Sequence, residues 1–192
     1  NGKLLAEHFG GYLPVVVDVT DALEFGKENL IAVWADNSND PNYPPGKQQE
    51  VLDFTYFGGI YRDCWLIAHN QVFITDPNYE NEEAGGGLFV AYNNVSDHSA
   101  EVLLKIQIRN SGRKAFKGVV EYELQQPDGQ QVASLNSVIR IKPGKSTYSS
   151  DKLTVKSPML WSPENPALYN LIVRIRDEKG NPIDGYRRRI GI

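Results

Sequence analysis

Residues 100–109 read Ala-Glu-Val-Leu-Leu-Lys-Ile-Gln-Ile-Arg, and this stretch decides the fold class. Alternate positions of this stretch carry a branched apolar side chain: Val102, Leu104, Ile106 and Ile108. Because successive side chains of a β-strand point to opposite faces, this spacing predicts a strand with one buried face and one mostly polar face. The residues that follow, Asn110-Ser111-Gly112, favour a turn.

The same kind of strand recurs along the second half of the chain. Further strands are predicted over 88–92, 118–124, 138–141, 153–155, 169–175 and 186–190. Strong turn sequences separate several of them, for example Gln126-Pro127-Asp128-Gly129 and Lys142-Pro143-Gly144-Lys145. About seven short strands at regular spacing favour a two-sheet antiparallel sandwich of immunoglobulin-like type. Cys64 is the single cysteine, so no intrachain disulfide can hold this sandwich together.

The first part of the chain is also predicted to be β-structure. Strands are expected over 12–19, 30–35 and 72–75, with one helical turn over 20–25 that is capped by Thr20 or Asp21. Residues 76–87 combine acidic residues with three glycines and are interpreted as a linker, which places a domain boundary between 78 and 79. The first region holds only about five strands, so we expect it to leave an apolar face uncovered. Preceding strands or another copy of the chain would cover that face.

Residues 53–63 read Asp-Phe-Thr-Tyr-Phe-Gly-Gly-Ile-Tyr-Arg-Asp and combine a carboxylate, an aromatic run and a glycine pair. The pair Gly58-Gly59 allows a backbone conformation or a close approach that a Cβ atom would block. A carboxylate beside aromatic rings is typical of a sugar site. Ring faces pack against the C–H surface of a sugar, and carboxylates accept hydrogen bonds from its hydroxyl groups. Asp53 is therefore a candidate for substrate contact.

This stretch resembles the signature of glycoside hydrolase family 2, which includes β-galactosidases, β-glucuronidases and β-mannosidases. Two further segments are similar to motifs of that family: the run through residues 1–3, 7–14 and 18–20, and the run Leu160-Trp161-Ser162-Pro163-Glu164-Asn165-Pro166-Ala167-Leu168-Tyr169. The three matches occur in the family's order. The resemblance implies an all-β chain, with the C-terminal part of a galactose-binding-like jelly roll over 1–78 and an immunoglobulin-like sandwich over 79–192.

The resemblance also implies a role in a larger enzyme, most similar to β-galactosidases. Family members cleave glycosides with two carboxylates, which lie on a (β/α)8 barrel that follows the immunoglobulin-like domain. This sequence shows no alternation of strands and helices, and its end, Arg188-Arg189-Ile190-Gly191-Ile192, is similar to the family's domain-ending motif. We therefore expect no catalytic residue here, and we expect the chain to support the barrel and shape the pocket for a β-linked oligosaccharide or glycoside.

Two residues are candidates for substrate binding in the intact enzyme. In glucuronidase-like members the residue that matches Asp53 contacts the sugar; the alternative is an aspartate that caps the following backbone. His8 would hydrogen-bond at the seam between this domain and the barrel, or would be a structural histidine. Trp34 and Trp65 are interpreted as core residues, and Cys64 as a buried, inert thiol. Trp161 would fix its loop onto the sandwich or onto the barrel.

Composition excludes several other classes of function. The chain has 192 residues, with 20 Lys and Arg against 24 Asp and Glu, and this acidic balance argues against nucleic acid as a partner. No apolar run approaches the roughly 20 residues that span a bilayer, so no membrane partner is expected. The three histidines lack zinc spacing, and no calcium-loop pattern occurs, so neither a metal nor another cofactor is expected. The polar residues 36–40 are interpreted as a loop rather than a cation site.

Two other functions remain as alternatives. A free-standing carbohydrate-binding module would present coplanar aromatic rings on one exposed sheet face. A structural or adhesion repeat would explain the strands of the second half, but not the runs around His8 and Asp53. A periplasmic or secreted location is slightly favoured over a cytoplasmic one.

Overall fold

The computed structural model describes residues 1–55 and 57–192, and the chain divides into two compact units, 1–67 and 68–192. Within the described residues, all β-pairing lies in the second unit. Its strands are β1 (Val72–Ile74), β2 (Leu88–Asn93), β3 (Ser99–Asn110), β4 (Phe116–Gln125), β5 (Gln131–Ile141), β6 (Lys145–Lys156), β7 (Tyr169–Asp177) and β8 (Pro182–Ile190). A single helical turn, α1 (Pro77–Glu80), follows β1. The predicted all-β class is confirmed.

The second unit contains two antiparallel sheets. In the first sheet β3 pairs with β6 along its whole length, while β2 and β1 share the other edge of β3. The second sheet has the order β5-β4-β7-β8. Each of the seven strands predicted over 88–190 is present, and β5 and β6 begin well before their predicted starts.

The core lies between the two sheets and follows the period-2 spacing of the sequence. On β3 the residues at 102, 104, 106 and 108 are all buried, as are every second residue of β4 and β7: Val120, Tyr122, Leu124, Leu171, Val173 and Ile175. Each fully buried Val, Leu or Ile side chain stabilises a fold by about 1.5–3 kcal/mol. The interdigitated apolar faces therefore hold the sandwich together without any disulfide.

Residues 75–87 interrupt an edge strand instead of linking two domains. The backbone N–H of Thr75 donates to the main-chain carbonyl of Gln107 at 3.1 Å, and the backbone N–H of Gln107 donates to the carbonyl of Gly87 at 2.9 Å. The buried Gln107 side chain also accepts a 2.7 Å hydrogen bond from the Thr75 hydroxyl. Between these anchors, Asp76 caps α1 by accepting from the N–H groups of Asn78 and Tyr79. Because β1 pairs with β3, the unit boundary at 67/68 lies before the predicted boundary at 78/79.

The first unit, residues 1–67, departs from several sequence predictions. Its described residues form two short 3-10 turns, Thr20–Ala22 and Gln49–Val51, and none of the strands predicted over 12–19 and 30–35. The N-cap of the first turn is Val19 rather than Thr20 or Asp21, and the Thr20 N–H is satisfied by the Asp18 carboxylate at 2.9 Å. Strands need partners for their backbone groups, and no strand pairing occurs among residues 1–55 and 57–67. The assignment of 1–78 to a jelly roll stays a prediction.

Three expectations of burial in the first unit are wrong. Trp34 is 91% exposed, Trp65 is 78% exposed, and the Cys64 thiol is exposed as well. Large apolar side chains are exposed throughout this unit, as expected for a layer whose apolar face is uncovered. Apolar sequence runs identify a face that can be buried, but burial itself requires a second layer.

The distribution of the core predicts that the sandwich is independent of the first unit. Every residue of the core cluster lies between Val72 and Ile192. We expect a 68–192 variant to unfold in urea with a free energy within about 1 kcal/mol of that of the whole chain, since no core contact is removed. Far-UV circular dichroism would measure both transitions. Loss of a cooperative transition in the 68–192 variant would contradict this expectation.

Candidate functional site

The motif segments of the first unit lie against one another. The Tyr61 hydroxyl, in the 53–63 stretch, donates to the carbonyl of Gly11 at 3.2 Å. In the same run as Gly11, the Phe9 ring stacks on Tyr43 with centroids 4.6 Å apart and planes 10° apart. Residues far apart in sequence therefore contact each other within this unit. Tyr56, in the middle of the quoted stretch, lies outside the described residues.

The glycine pair performs both tasks expected of it. A Cβ atom on Gly58 would lie 2.3 Å from the Cγ atom of Asn37, so a larger residue here would require the exposed Asn37 side chain to move. Gly59 has a φ angle of 80°, in the left-handed region that residues with a Cβ atom rarely adopt. The pair thus lets the aromatic stretch turn while it packs closely on the 36–46 loop.

Asp53 and His8 are both exposed in the first unit. Among the hydrogen bonds and ion pairs of the described residues, neither side chain has a partner. An exposed carboxylate without an internal partner can accept hydrogen bonds from a sugar hydroxyl. The structure does not join the two side chains by a hydrogen bond, so their roles in substrate binding stay predictions.

The acidic residues of the 36–46 loop close turns. The Asp36 carboxylate accepts from the Ser38 N–H at 2.8 Å, and this hydrogen bond holds the pKa of Asp36 below its usual value. Asp40 accepts from the Asn42 N–H at 2.8 Å in the same manner. These are side chain to backbone bonds between residues two apart, which Asp and Asn commonly form in turns. Within 1–55 and 57–192, no group of three or more His, Cys, Asp or Glu side chains could hold a metal ion.

The third motif, 160–169, ties a loop to the sandwich. The Trp161 N–H donates to the carbonyl of Ile192 at 2.7 Å, and the hydroxyl of the buried Tyr169 accepts from the Met159 N–H at 2.7 Å. Ser162 and Asn165 exchange two backbone hydrogen bonds across the turn between them. The motif is thus a loop closure in this structure: the backbone of Trp161 is bonded to the sandwich, while its side chain is 49% exposed. Whether that side chain packs on the sandwich or on a barrel stays a prediction.

The outer face of the second sheet carries a ladder of ion pairs. Arg174 contacts Glu123 at 2.7 Å and Arg176 contacts Glu121 at 2.8 Å. The Arg174 guanidinium, with help from Gln125, lowers the pKa of Glu123. Partly exposed ion pairs of this kind contribute little to stability, typically about 1 kcal/mol or less. These charges are therefore satisfied within the sheet.

One end of the sandwich holds a cavity that the sequence does not reveal. Its volume is ≈ 530 Å³, and its wall includes Gln71, Asn110, Ser111, Arg113, Lys114 and Phe116. No carboxylate lines it. The only sequence signal is the pair Arg113-Lys114 directly after a turn, whereas the approach of Gln71 depends on the pairing of Val72 with Asn110.

None of the helices in the described residues is sufficiently long and apolar to cross a membrane.

Comparison with known proteins decides the family. The family model described as "Glycosyl hydrolases family 2" matches residues 87–192, which is more than half of the chain. The chain belongs to glycosyl hydrolases family 2. The sequence resemblance to this family is thereby confirmed, and the matched range covers the strands β2–β8 of the sandwich.

Individual relatives extend the match to the whole chain. A putative β-glucuronidase of Formosa agariphila is 34% identical over 191 residues, covering 100% of this chain and 20% of the relative. A β-galactosidase of Thermoanaerobacter pseudethanolicus is 30% identical, covering 100% of this chain and 23% of the relative. The solved structure of Bacteroides uniformis β-glucuronidase 2, covalently bound to cyclophellitol-6-carboxylate aziridine, has a TM-score of 0.85 at 29% identity. The whole of this chain aligns with 22% of the length of that structure. The chain therefore spans about a fifth of the relatives it matches.

Proposed function

We propose that this chain is a non-catalytic part of a family 2 glycosidase that hydrolyses terminal β-glycosides. One observation carries the proposal: the chain aligns over its full length with about a fifth of enzymes named β-glucuronidase or β-galactosidase. Its role is to support the catalytic barrel, while the stretch around Asp53 helps to shape the rim of the substrate pocket. The contact of Tyr61 with Gly11 supports this role, because it gives two of the motif segments a fixed relation to each other.

Two substrates are candidates for the whole protein. A terminal β-galactoside follows from the resemblance of the chain to β-galactosidases, although the motifs themselves do not distinguish galactose from glucuronic acid or mannose. A β-glucuronide is favoured by the relative with 34% identity and by the solved glucuronidase with a TM-score of 0.85. Hydrolysis of the two p-nitrophenyl glycosides by the protein that the whole gene encodes tests the proposal. Turnover of neither glycoside, nor of the mannoside, would contradict it.

The Asp53 role predicts a specific kinetic defect in that protein. Changing Asp53→Asn removes the charge but keeps the shape of the side chain, so the hydrogen bond to the sugar loses its charge assistance and kcat/KM should fall about tenfold. Asp63→Asn, which changes another exposed carboxylate of the same stretch, is the matched control and should leave kcat/KM unchanged. Wild-type kinetics for Asp53→Asn would remove Asp53 from the substrate site.

The alternative of a free-standing carbohydrate-binding module predicts a different result. Such a module binds neutral sugars with exposed aromatic rings, which stack on the sugar face. If the chain is instead a non-catalytic part of a larger glycosidase, we expect calorimetric titration with galactosides and mannosides to give no heat of binding. Saturable binding of either sugar would favour the binding module instead.

A further inference from the structure

The cavity at the end of the sandwich has a rigid frame. Asn110 is only 1% exposed, and its side-chain amide donates to the carbonyls of Lys114 at 2.8 Å and Ile141 at 3.3 Å. The side-chain oxygen Oδ1 of Asn110 accepts a hydrogen bond from the Gly112 N–H at 2.9 Å. Across the cavity, the Ser111 N–H and hydroxyl both donate to the carbonyl of Gln71, at 2.8 and 3.1 Å. The loop 111–115 is therefore held in place before any ligand arrives, which lowers the entropic cost of binding.

Two positive charges at this cavity have no internal counter-charge. Arg113 and Lys114 form no ion pair among residues 1–55 and 57–192, whereas the sheet cations Lys117, Arg174 and Arg176 are all paired. The lining contains no carboxylate, although the chain as a whole has a net charge of −4. A guanidinium presents a planar fork of donors that matches a carboxylate, and an ammonium adds a second point charge. The cavity therefore favours an anionic ligand.

The remaining wall suits a sugar ring rather than a simple ion. The Gln71 amide and the Ser111 hydroxyl offer donors and acceptors for ring hydroxyls, and Val72 and Phe116 provide apolar surface for a C–H face. The cavity is partly open to solvent, and its volume of ≈ 530 Å³ is in the range of small-molecule sites, about 300–1,000 Å³. A neutral hexose would leave both cations unused, and an inorganic anion would leave the amide and the apolar wall unused.

We propose that this cavity binds a uronic acid residue, with the ligand carboxylate between Arg113 and Lys114. The proposal rests on the proposed function in its glucuronide form, since a glycosidase that acts on β-glucuronides meets such residues in its substrates. The ring would lie against Val72 and Phe116, and Gln71 would bond its hydroxyls. Binding is reversible and involves no covalent step.

The test is a titration of the 192-residue chain, labelled with ¹⁵N, with sodium D-glucuronate, D-glucose or sodium sulfate. With glucuronate we expect saturable amide shifts confined to residues 71–72 and 110–116. The double variant Arg113→Ala/Lys114→Ala should weaken glucuronate binding at least about tenfold, because two charge-assisted contacts are lost.

The matched control is Arg188→Ala/Arg189→Ala, which removes two adjacent exposed arginines from the opposite end of the sandwich. The register places them there: Phe116 begins β4, whereas Gln125 ends it, and Gln125 pairs with Asn170, which pairs with Arg189. This control should bind glucuronate like the wild type, and its folding and that of the cavity variant are checked by the dispersion of their amide spectra.

Three outcomes would overturn the proposal: no shifts with glucuronate, equal binding of glucose and glucuronate, or equal binding of sulfate and glucuronate. Equal binding of sulfate would identify a general anion site instead. The result is independent of hydrolysis by the whole protein. Glucuronate binding without any glycosidase activity would refute the proposed function and leave the cavity assignment, and the reverse result would refute only the cavity assignment.

Discussion

Replacing Gly118 by alanine is expected to lower the free energy of unfolding of the sandwich by about 3 kcal/mol or more. A Cβ atom at this buried position would lie 2.2 Å from the main-chain carbonyl oxygen of Arg176 and 2.7 Å from the Phe116 ring. Gly118 pairs with Ile139 of β5 on one side and with Asp177 of β7 on the other. Because β4 pairs with β5 on one edge and with β7 on the other, neither β4 nor β7 can move aside without breaking backbone hydrogen bonds.

Urea unfolding followed by circular dichroism measures the effect of Gly118→Ala, with Gly185→Ala as the matched control. Gly185 lies on β8 of the same sheet, and a Cβ atom there would meet only the Val173 carbonyl oxygen, at 3.5 Å. That is ordinary van der Waals contact, so the control should change the free energy of unfolding by less than about 0.5 kcal/mol. A Gly118→Ala variant within about 1 kcal/mol of the wild type would show that the two strands are less tightly held than the structure indicates.

The sandwich could be predicted where local patterning and tertiary pairing agree. The alternation in residues 100–109 predicts β3 because half of its side chains need a core. By contrast, β6 reads Lys-Ser-Thr-Tyr-Ser-Ser-Asp-Lys-Leu-Thr-Val-Lys, and only its end, 153–155, carries a strand signal. The first eight residues of β6 form a strand because the whole length of β3 pairs with β6. Pairing of that kind depends on the neighbouring strand and cannot be inferred from the segment alone.

The candidate site divides in a similar way. The preference for glycine at 59 comes from that residue's own φ angle of 80°, which is a local property, so the sequence alone can predict it. Burial of Trp34 and Trp65 depends on a covering layer that this unit does not contain, so hydrophobicity alone leads to the wrong expectation. The cavity escapes sequence reasoning because the pairing of Val72 with Asn110 brings distant residues to one rim.

Two buried tyrosines should respond in opposite ways to the loss of a hydroxyl group. Tyr169 accepts a 2.7 Å hydrogen bond from the Met159 N–H, which fixes the loop before β7. The buried Tyr122 hydroxyl has no hydrogen-bond partner of good geometry among the described residues, and the Ser149 and Asp151 side chains beside it bond to each other at 2.6 Å. Burial is the main cause that raises the pKa of Tyr122 far above its usual range, so this phenol stays protonated.

Phenylalanine keeps the ring at either position, so the difference between the two variants isolates the hydroxyl group. Tyr169→Phe leaves the Met159 N–H without its acceptor, and we expect a loss of about 1–3 kcal/mol in the free energy of unfolding. Tyr122→Phe removes a buried hydroxyl that has no hydrogen bond of good geometry among the described residues, so stability should be unchanged or rise by up to about 1 kcal/mol. Parallel urea titrations decide the matter. Equal losses would mean that Tyr122 has a partner in solution, such as a water molecule between its hydroxyl and Asp151, and the opposite order would contradict the role of Tyr169 in closing the loop.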